Sequence, residues 1–371
     1  MLIGIDGNEA NVAARVGVGQ YAYNLLVNLS KIDSKNQYII YLKDEPAADF
    51  PKSNKNWEYR VFGPQKLWSR FALPLYLFFQ NEKLDLFFSP SHYSPLFCPC
   101  PTIPTIHDLG YLQFKSQFTK KDLYQLVNWT KTSIKKAKHI ITVSQFSKDE
   151  IIKTYKTAPS KISIAYNGVD TPPQINSKTQ KEILSSYDLK SNNYYLYLGT
   201  LKPNKNIPFL VRSFSLFLRS NINDRRSKLV IAGKKGWLFN EIFQTVKEEG
   251  IENQVIFTDF VDETQKWTLY QHAICSILPS TYEGFGIPAI ESMKIGTPVI
   301  ASTIPPLKEV IQDAGLFIDP QNENDLVKKM VDISNPKTRQ TYSVLGKTQA
   351  DKFTWVNTTK SVLQVFEKLV N

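Results

Sequence analysis

Ala273–Leu278 (AICSIL) followed by Pro279–Glu291 (PSTYEGFGIPAIE) is the stretch on which the reading of this chain turns. A short unbroken apolar run, a loop with two glycines and then Pro288 at the start of a helical pattern read as strand, loop and helix. Pro288 suits a first helical turn because its missing N–H needs no partner there. Gly284 and Gly286 let the loop backbone come close to a ligand, and a helix N-terminus behind them offers unpaired N–H groups to an anion such as phosphate. Glu283 and Glu291 would repel a phosphate, so the task that suits them is accepting hydrogen bonds from hydroxyls, as on a ribose or a hexose. The same residues also fit a plain connection whose acidic side chains favour the positive end of a helix.

Working outward, Tyr194–Gly199, Lys228–Gly233, Gln254–Phe257 and Pro298–Ala301 are further apolar runs, with helical spacing over Phe209–Arg219 and Glu241–Glu249. Unbroken rather than alternating runs suit a parallel sheet covered on both faces, hence a doubly wound α/β domain. The N-terminal half repeats the pattern. Strands are expected at Leu2–Asp6, Tyr38–Leu42, Asp85–Ser89, Ile103–His107 and His139–Ser144, and helices at Gly19–Leu29, Tyr124–Ala137 and Phe146–Tyr155. Between the halves, Tyr166–Pro173 (YNGVDTPP) joins Asn-Gly to Pro-Pro, a turn and linker signal. The expected division is therefore 1–168 and 169–371, with a last helix near 353–371 that is open to packing back on the N-terminal domain. Two such domains would frame a cleft between the C-terminal edges of their sheets, where open α/β folds bind ligands.

Glu283 and Glu291, seven residues apart around Gly-Phe-Gly-Ile-Pro, resemble the Glu-x7-Glu signature of retaining GT-B glycosyltransferases of family 4. The resemblance covers nearly the whole chain. Gly199-Thr-Leu-Lys-Pro-Asn-Lys205-Asn206 is similar to the family's Gly-x-Leu-x-Pro-x-Lys-Asn loop, and Ile231-Ala-Gly233, Gly296-Thr-Pro-Val299 and Glu309-Val310 fall where its later blocks lie. Tyr166-Asn-Gly-Val-Asp170 resembles the interdomain segment, and Thr142-Val-Ser144 and Phe353-Thr-Trp355 also match. In the N-terminal half, Gly17-Val-Gly19-Gln-Tyr21 resembles the Gly-x-Gly-x-Tyr loop and Ile106-His107-Asp108-Leu109 the His-Asp block.

The resemblance implies two Rossmann-like domains facing each other across a cleft, the first binding an acceptor and the second a nucleotide-diphosphate sugar. It implies that Glu291 holds the ribose, that Glu283 with the backbone of Gly284, Phe285 and Gly286 and the following Ile287 holds the sugar, and that Lys205 neutralises the diphosphate. Gly199 and Thr200 would belong to the phosphate loop. Gly17 and Gly19 would bring helix N-terminal N–H groups to the diphosphate, and His107 would bond the transferred sugar. Asp108 either orients His107 or caps the next segment. Many members of the resembling family carry Arg where this chain has Thr200, and a related subgroup carries Arg where it has Asn204, which leaves the second phosphate cation open; Lys202 is either its substitute or a solvated surface lysine. The implied reaction is front-face displacement of a hexose, mannose or glucose, to a glycan or lipid-linked acceptor in cell-surface polysaccharide synthesis. GDP-mannose is the preferred donor because the Gly199 loop resembles mannosyltransferase-like members. With no Asp-x-Asp-like motif, metal independence is expected and no cofactor is implied. A hydrolase or epimerase using the same two domains is the rival among enzymes.

The 371 residues carry 45 basic and 34 acidic side chains, a net +11, which admits nucleic acid, an anionic membrane surface or a small anionic substrate as partner. No zinc-finger, RNP-like or helix-turn-helix pattern supports a nucleic-acid binder. The excess concentrates in Lys115–Lys161, with 11 basic against 3 acidic residues. Together with Lys66–Phe79 (KLWSRFALPLYLFF), that stretch fits either peripheral docking on anionic lipid or a solvated basic face beside an ordinary buried helix. Cys98, Cys100 and Cys275 make no disulfide framework, the N-terminus has no signal-peptide pattern, and the longest apolar run, Ala72–Phe79, is far short of the ~20 residues of a membrane span. A cytoplasmic protein is the expectation, with peripheral attachment at the inner face of the membrane left open.

Overall fold

The computed structural model of the chain describes residues 1–220, 226–236 and 238–370. The chain divides into two compact units, one from Met1 to Gly168 joined by the segment from Thr354 onward, the other Val169–Phe353.

The first unit runs β1 (Leu2–Asp6), α1 (Val18–Ile32), β2 (Gln37–Leu42), β3 (Trp57–Val61), α2 (Ala72–Phe79), β4 (Leu86–Ser89), β5 (Thr102–Ile106), α3 (Gly110–Gln113), α4 (Lys120–Lys136), β6 (Ile140–Thr142), α5 (Gln145–Tyr155) and β7 (Ile162–Ile164). Its strands form a parallel sheet in the order β3-β2-β1-β4-β5-β6-β7. The second unit runs α6 (Ser177–Ser186), β8 (Tyr194–Leu198), α7 (Ile207–Ser220), β9 (Lys228–Ala232), α8 (Asn240–Glu249), β10 (Val255–Asp259), α9 (Glu263–His272), β11 (Cys275–Leu278), α10 (Ile287–Ile295), β12 (Val299–Ser302), α11 (Pro305–Ile311), β13 (Leu316–Ile318), α12 (Glu323–Ser334) and α13 (Pro336–Ala350). Its parallel sheet has the order β10-β9-β8-β11-β12-β13. Both sheets are doubly wound, and in both the order reverses beside the first strand: between β1 and β4, and between β8 and β11.

The unbroken apolar runs are buried on both faces, as parallel strands between helices must be. β8 (YYLYL) shows how such a strand tolerates tyrosine. Tyr194 donates to Leu269 O at 2.7 Å, Tyr195 lies 2.8 Å from Ser334 Oγ and Tyr197 donates to Thr200 O at 3.2 Å, so each ring is buried and each hydroxyl is satisfied. α7 turns Leu210, Phe214 and Phe217 into the core of this unit, against Leu229 and Ile231 of β9.

The last helix, α14 (Trp355–Val370), returns to the first unit, where Phe366 meets Phe88 edge-on at 5.3 Å and Thr358 Oγ1 donates to Tyr166 O at 2.6 Å. The crossing explains the glycine of the Asn-Gly-Val-Asp segment. A Cβ on Gly168 would lie 2.2 Å from the backbone nitrogen of Trp355, so no larger residue fits without moving one chain segment off the other.

Candidate functional site

In the second unit the loops at the β8/β11 reversal are those the sequence singled out. β8 leads through Gly199 and Thr200 into a single 3-10 turn, Pro203–Lys205, which ends at Asn206 in the left-handed region (φ 56°). Asn206 Nδ2 ties that turn to Pro320 O at 2.9 Å. β11 leads through Pro279–Phe285 to Gly286, whose φ of 103° opens α10, with Pro288 in the first turn as expected. The two loops are bound to each other: Thr281 N donates to Asn204 O at 2.9 Å, and Asn204 Nδ2 to Tyr282 O at 3.1 Å.

This stitching places Lys205 Nζ 2.6 Å from Glu283 Oε1, which also accepts from Ser280 Oγ at 2.8 Å. Both charged side chains are mostly buried, at 18% and 11% exposure, so the ion pair carries weight that a surface pair would not. Asn204 acts as a loop tie rather than as a cation. Lys202 lines a small cavity with Pro203, Arg212, Leu238 and Glu241, whereas Lys205 is the lysine that reaches Glu283. Phe285 is buried, its ring 5.6 Å from that of Phe353, so only its backbone is available to a ligand. Ile287, the first residue of α10, is partly exposed.

Glu291, one helical turn further along α10, has partners that sequence reasoning missed. Its Oε1 accepts from Lys266 Nζ at 2.8 Å and its Oε2 from the Tyr270 hydroxyl at 3.2 Å; both donors project from α9, whose first turn is fixed by a capping box between Asp262 and Gln265. Burial raises the Glu291 carboxyl above its ordinary pKa despite the lysine. Burial also opposes the charge on Lys266, but Glu291 and Glu263 outweigh it and raise the lysine's pKa. The only clue in the sequence was the four-residue spacing of Lys266 and Tyr270 on one helix face.

In the first unit, the loop after β1 delivers Gly17, the N-cap of α1, in a positive-φ conformation (50°). Gly19 N already donates to Val16 O at 3.1 Å, and a Cβ on Gly19 would approach Glu9 O to 2.9 Å, so the second glycine is needed for close passage of the loop. His107, just past β5, is buried; its Nε2 lies 3.0 Å from Pro90 O, and its ring meets Tyr21 of α1 edge-on at 4.8 Å. Gly17, Gly19 and His107 are thereby brought to the β1/β4 side of one sheet. Asp108 accepts from Gly110 N at 2.8 Å, just ahead of the short helix α3.

A second histidine, His92, follows β4 and lies tilted 5.7 Å from His107, its buried Nδ1 having no hydrogen-bond partner among the described residues. The segment Ser89–Pro95 (SPSHYSP) reads as a turn, and a histidine just past a strand was the one signal available. Burial pushes both imidazoles down to about 4, and the neighbouring His92 adds to the effect on His107. Because the folded pKa lies below the ordinary 6.5, this contribution to stability is present above pH 6.5 and is lost as pH falls towards 4. Full protonation of one such group would cost on the order of 3 kcal/mol. Denaturant unfolding at pH 7 and pH 5 is therefore expected to show a drop in stability that His107→Gln, which keeps a polar group near Pro90 O, makes smaller; an unchanged drop would remove His107 from this account.

The fold with its two reversal-point loop sets is that of the GT-B glycosyltransferases. It matches, with a TM-score of 0.76 over 99% of each chain at 16% identity, the structure of HepE of Anabaena in complex with UDP-glucose. Residues 16–172 match Glycosyltransferase Family 4 and residues 179–348 match Glycosyl transferases group 1, and the chain belongs to this glycosyltransferase family. It is 29% identical over 270 residues to O-antigen chain mannosyltransferase B of Escherichia coli, covering 72% of this chain and 70% of that protein. It is 31% identical over 252 residues to O-antigen chain mannosyltransferase RfbU of Salmonella typhimurium, covering 68% of this chain and 65% of that one.

Proposed function

We propose that this glycosyltransferase moves mannose, with retention of configuration, from a nucleoside-diphosphate donor to a glycan or lipid-linked acceptor in cell-surface polysaccharide synthesis. The observation that carries the proposal is the Lys205–Glu283 pair, held at 2.6 Å by two loops at the β8/β11 reversal and beside the N-terminus of α10. In transfer, the bond from the sugar's anomeric carbon to the diphosphate oxygen breaks, and the acceptor hydroxyl bonds to the same carbon. The acceptor's proton passes to the departing phosphate. The leaving group gains negative charge in that step, so a cation and helix N–H groups set beside it favour the transition state over the ground state. Glu283 is suited to accept from the sugar hydroxyls and Glu291 from those of the ribose. On the first unit, His107 with Gly17 and Gly19 would serve the sugar and the diphosphate. Mannose is chosen because the relatives with the highest shared identity given above are named mannosyltransferases.

A thermal-shift screen of GDP-mannose, UDP-glucose and ADP-glucose, followed by an NMR assignment of the product's anomeric centre, tests this reading. A donor present at 100 times its Kd stabilises by about 2.7 kcal/mol, a readily measured shift. GDP-mannose is expected to give the largest shift and an α-linked product, with activity retained in EDTA because Lys205 and the α10 N-terminus serve the phosphates. A β-linked product, a preference for UDP-glucose, or free sugar formed as fast without acceptor as with it would each overturn the corresponding part.

A further inference from the structure

We propose that Cys98 and Cys100 form a reversible dithiol–disulfide site that reacts with low-molecular-weight disulfides. Only Pro99 separates the two in the chain, and both belong to the loop that joins β4 to β5. Their sulfurs lie 3.3 Å apart, in hydrogen-bond contact. An approach of little more than about 1 Å brings them to bonding distance, which rotation of the two side chains can supply.

The loop is anchored on both sides of the pair. Ahead of it, Lys136 at the end of α4 donates to Leu96 O at 2.9 Å and holds its ammonium 5.0 Å from the centre of the Phe97 ring. Behind it, Pro101 O accepts from Phe87 N at 2.8 Å and Thr102 O from Lys138 N at 2.9 Å. Pro99 fixes the φ of the intervening residue at about −65°. Little conformational freedom is left to lose when the ring closes, so the entropy opposing the bond is small.

The thiols are also within reach of a reagent. Each packs on the core around Leu73, Leu77 and Phe87 yet stays part-exposed, and together they line a cavity of about 350 Å3 with Phe78, Phe97 and Lys136. Cys275 is the opposite case, fully buried in β11, where burial pushes its thiol up and leaves it inert. The contact between the two exposed thiols gives them different tasks. An S–H donated by Cys100 favours the thiolate of Cys98 and lowers its pKa, while the same bond holds the proton on Cys100 and raises that pKa. The thiolate is the attacking species, so Cys98 attacks and Cys100 resolves. Among the described residues no group of three or more His, Cys, Asp or Glu could hold a metal ion, so the pair is not part of a wider metal-binding cluster.

In the first step Cys98 Sγ bonds to one sulfur of the small disulfide, whose own S–S bond breaks and releases one thiolate. Cys100 Sγ then bonds to Cys98 Sγ, the mixed bond breaks and the second small thiol leaves. The two protons of the protein thiols finish on the two released thiols; the protein is oxidised by two electrons and the small disulfide is reduced by two.

Incubation of the full chain, reduced and freed of reductant, with oxidised glutathione tests the assignment, read by maleimide labelling, intact mass and peptide mapping. Neither donor nor acceptor is needed, so the result is independent of the transfer reaction. Cys98 and Cys100 are expected to lose maleimide reactivity together, with a mass lower by two hydrogens and a peptide carrying the Cys98–Cys100 link, and dithiothreitol should restore both. Cys100→Ser, which lacks the resolving thiol, should stop at one glutathione on Cys98, and Cys98→Ser should react about tenfold more slowly than the parent. Serine is close to cysteine in size, so neither part-exposed change threatens folding. The proposal is overturned if the parent keeps both thiols free, if it carries glutathione without the internal link, or if the link joins two chains. Equal rates for the two serine variants would overturn the assignment of Cys98 as the attacking thiol.

Discussion

Glu283→Gln is expected to lower the turnover of sugar transfer by about 10^3-fold, equivalent to roughly 4 kcal/mol of transition-state stabilisation, while donor binding holds within a few fold. The reasoning starts from what Glu283 does without ligand. One carboxylate oxygen takes hydrogen bonds from both Lys205 Nζ and Ser280 Oγ, so the side chain is positioned before any substrate arrives. Glutamine preserves the size and one acceptor oxygen for Ser280. It removes the negative charge that holds Lys205 and that would strengthen hydrogen bonds from the sugar hydroxyls as positive charge builds at the anomeric carbon. Lys205, no longer neutralised, remains able to meet the diphosphate, so the loss should fall on kcat rather than on KM for the donor. Isothermal titration of the donor and initial rates measured on the same protein separate the two. Weakened donor binding with unchanged turnover would mean that Glu283 binds the ground state and the transition state equally. Glu283→Ala with added azide is a sharper probe still: formation of a glycosyl azide of inverted configuration would establish a covalent glycosyl–enzyme intermediate and overturn displacement assisted by the leaving phosphate.

The sequence announced this site because its loops are made of residues with special backbone demands. Gly286 needs a positive φ, and its Cβ would also collide with Leu307 Cδ2 at 2.5 Å; Gly233 has φ 141°, and its Cβ would lie 2.1 Å from Gly199 O. Such positions stand out in a sequence because few residue types can occupy them. Continuous strands such as β8, β9 and β11 were equally visible, within one or two residues of their ends. β3 (WEYRV) was not, because on this edge strand Glu58 and Arg60, paired with each other at 2.8 Å, break the apolar run. β7 and β13, three residues each, are too short to show a period. The end of α2 was ambiguous for a different reason: ALPLYLFF is apolar all round, and composition alone does not tell which side is covered. α9 hid best. Its burial rests on Lys266, Trp267, Thr268 and Tyr270, so hydropathy shows no apolar stripe, and the lysine's buried state depends on Glu291 in another helix. Burial achieved through a charge pair is invisible to any argument from periodicity.

That hidden pair sets the second large effect. Lys266→Met is expected to destabilise the protein by about 3 kcal/mol at pH 8, because methionine replaces the aliphatic stem but leaves Glu291 buried with the Tyr270 hydroxyl as its remaining donor. The Glu291 pKa, already raised by burial, should rise further. A carboxyl whose folded pKa exceeds its unfolded value gains stability as pH falls, since the folded state then takes up the proton more readily. The deficit of Lys266→Met should accordingly be largest at pH 8 and shrink towards pH 5. A loss due to packing alone would be the same at both pH values, and that outcome would refute the charge-pair account. In the double variant Lys266→Met with Glu291→Gln, both charges are gone and Tyr270 can still donate to the amide oxygen. Its cost should fall short of the sum of the single costs by roughly 2 kcal/mol, the coupling expected for residues in direct contact. Function should not recover with stability. Glu291→Gln, alone or in the double variant, is expected to raise the donor's KM, because a neutral amide is a weaker acceptor than a carboxylate for the paired hydroxyls of a ribose. Stability rescued without donor affinity would assign Lys266 to positioning Glu291, and Glu291 itself to the nucleotide.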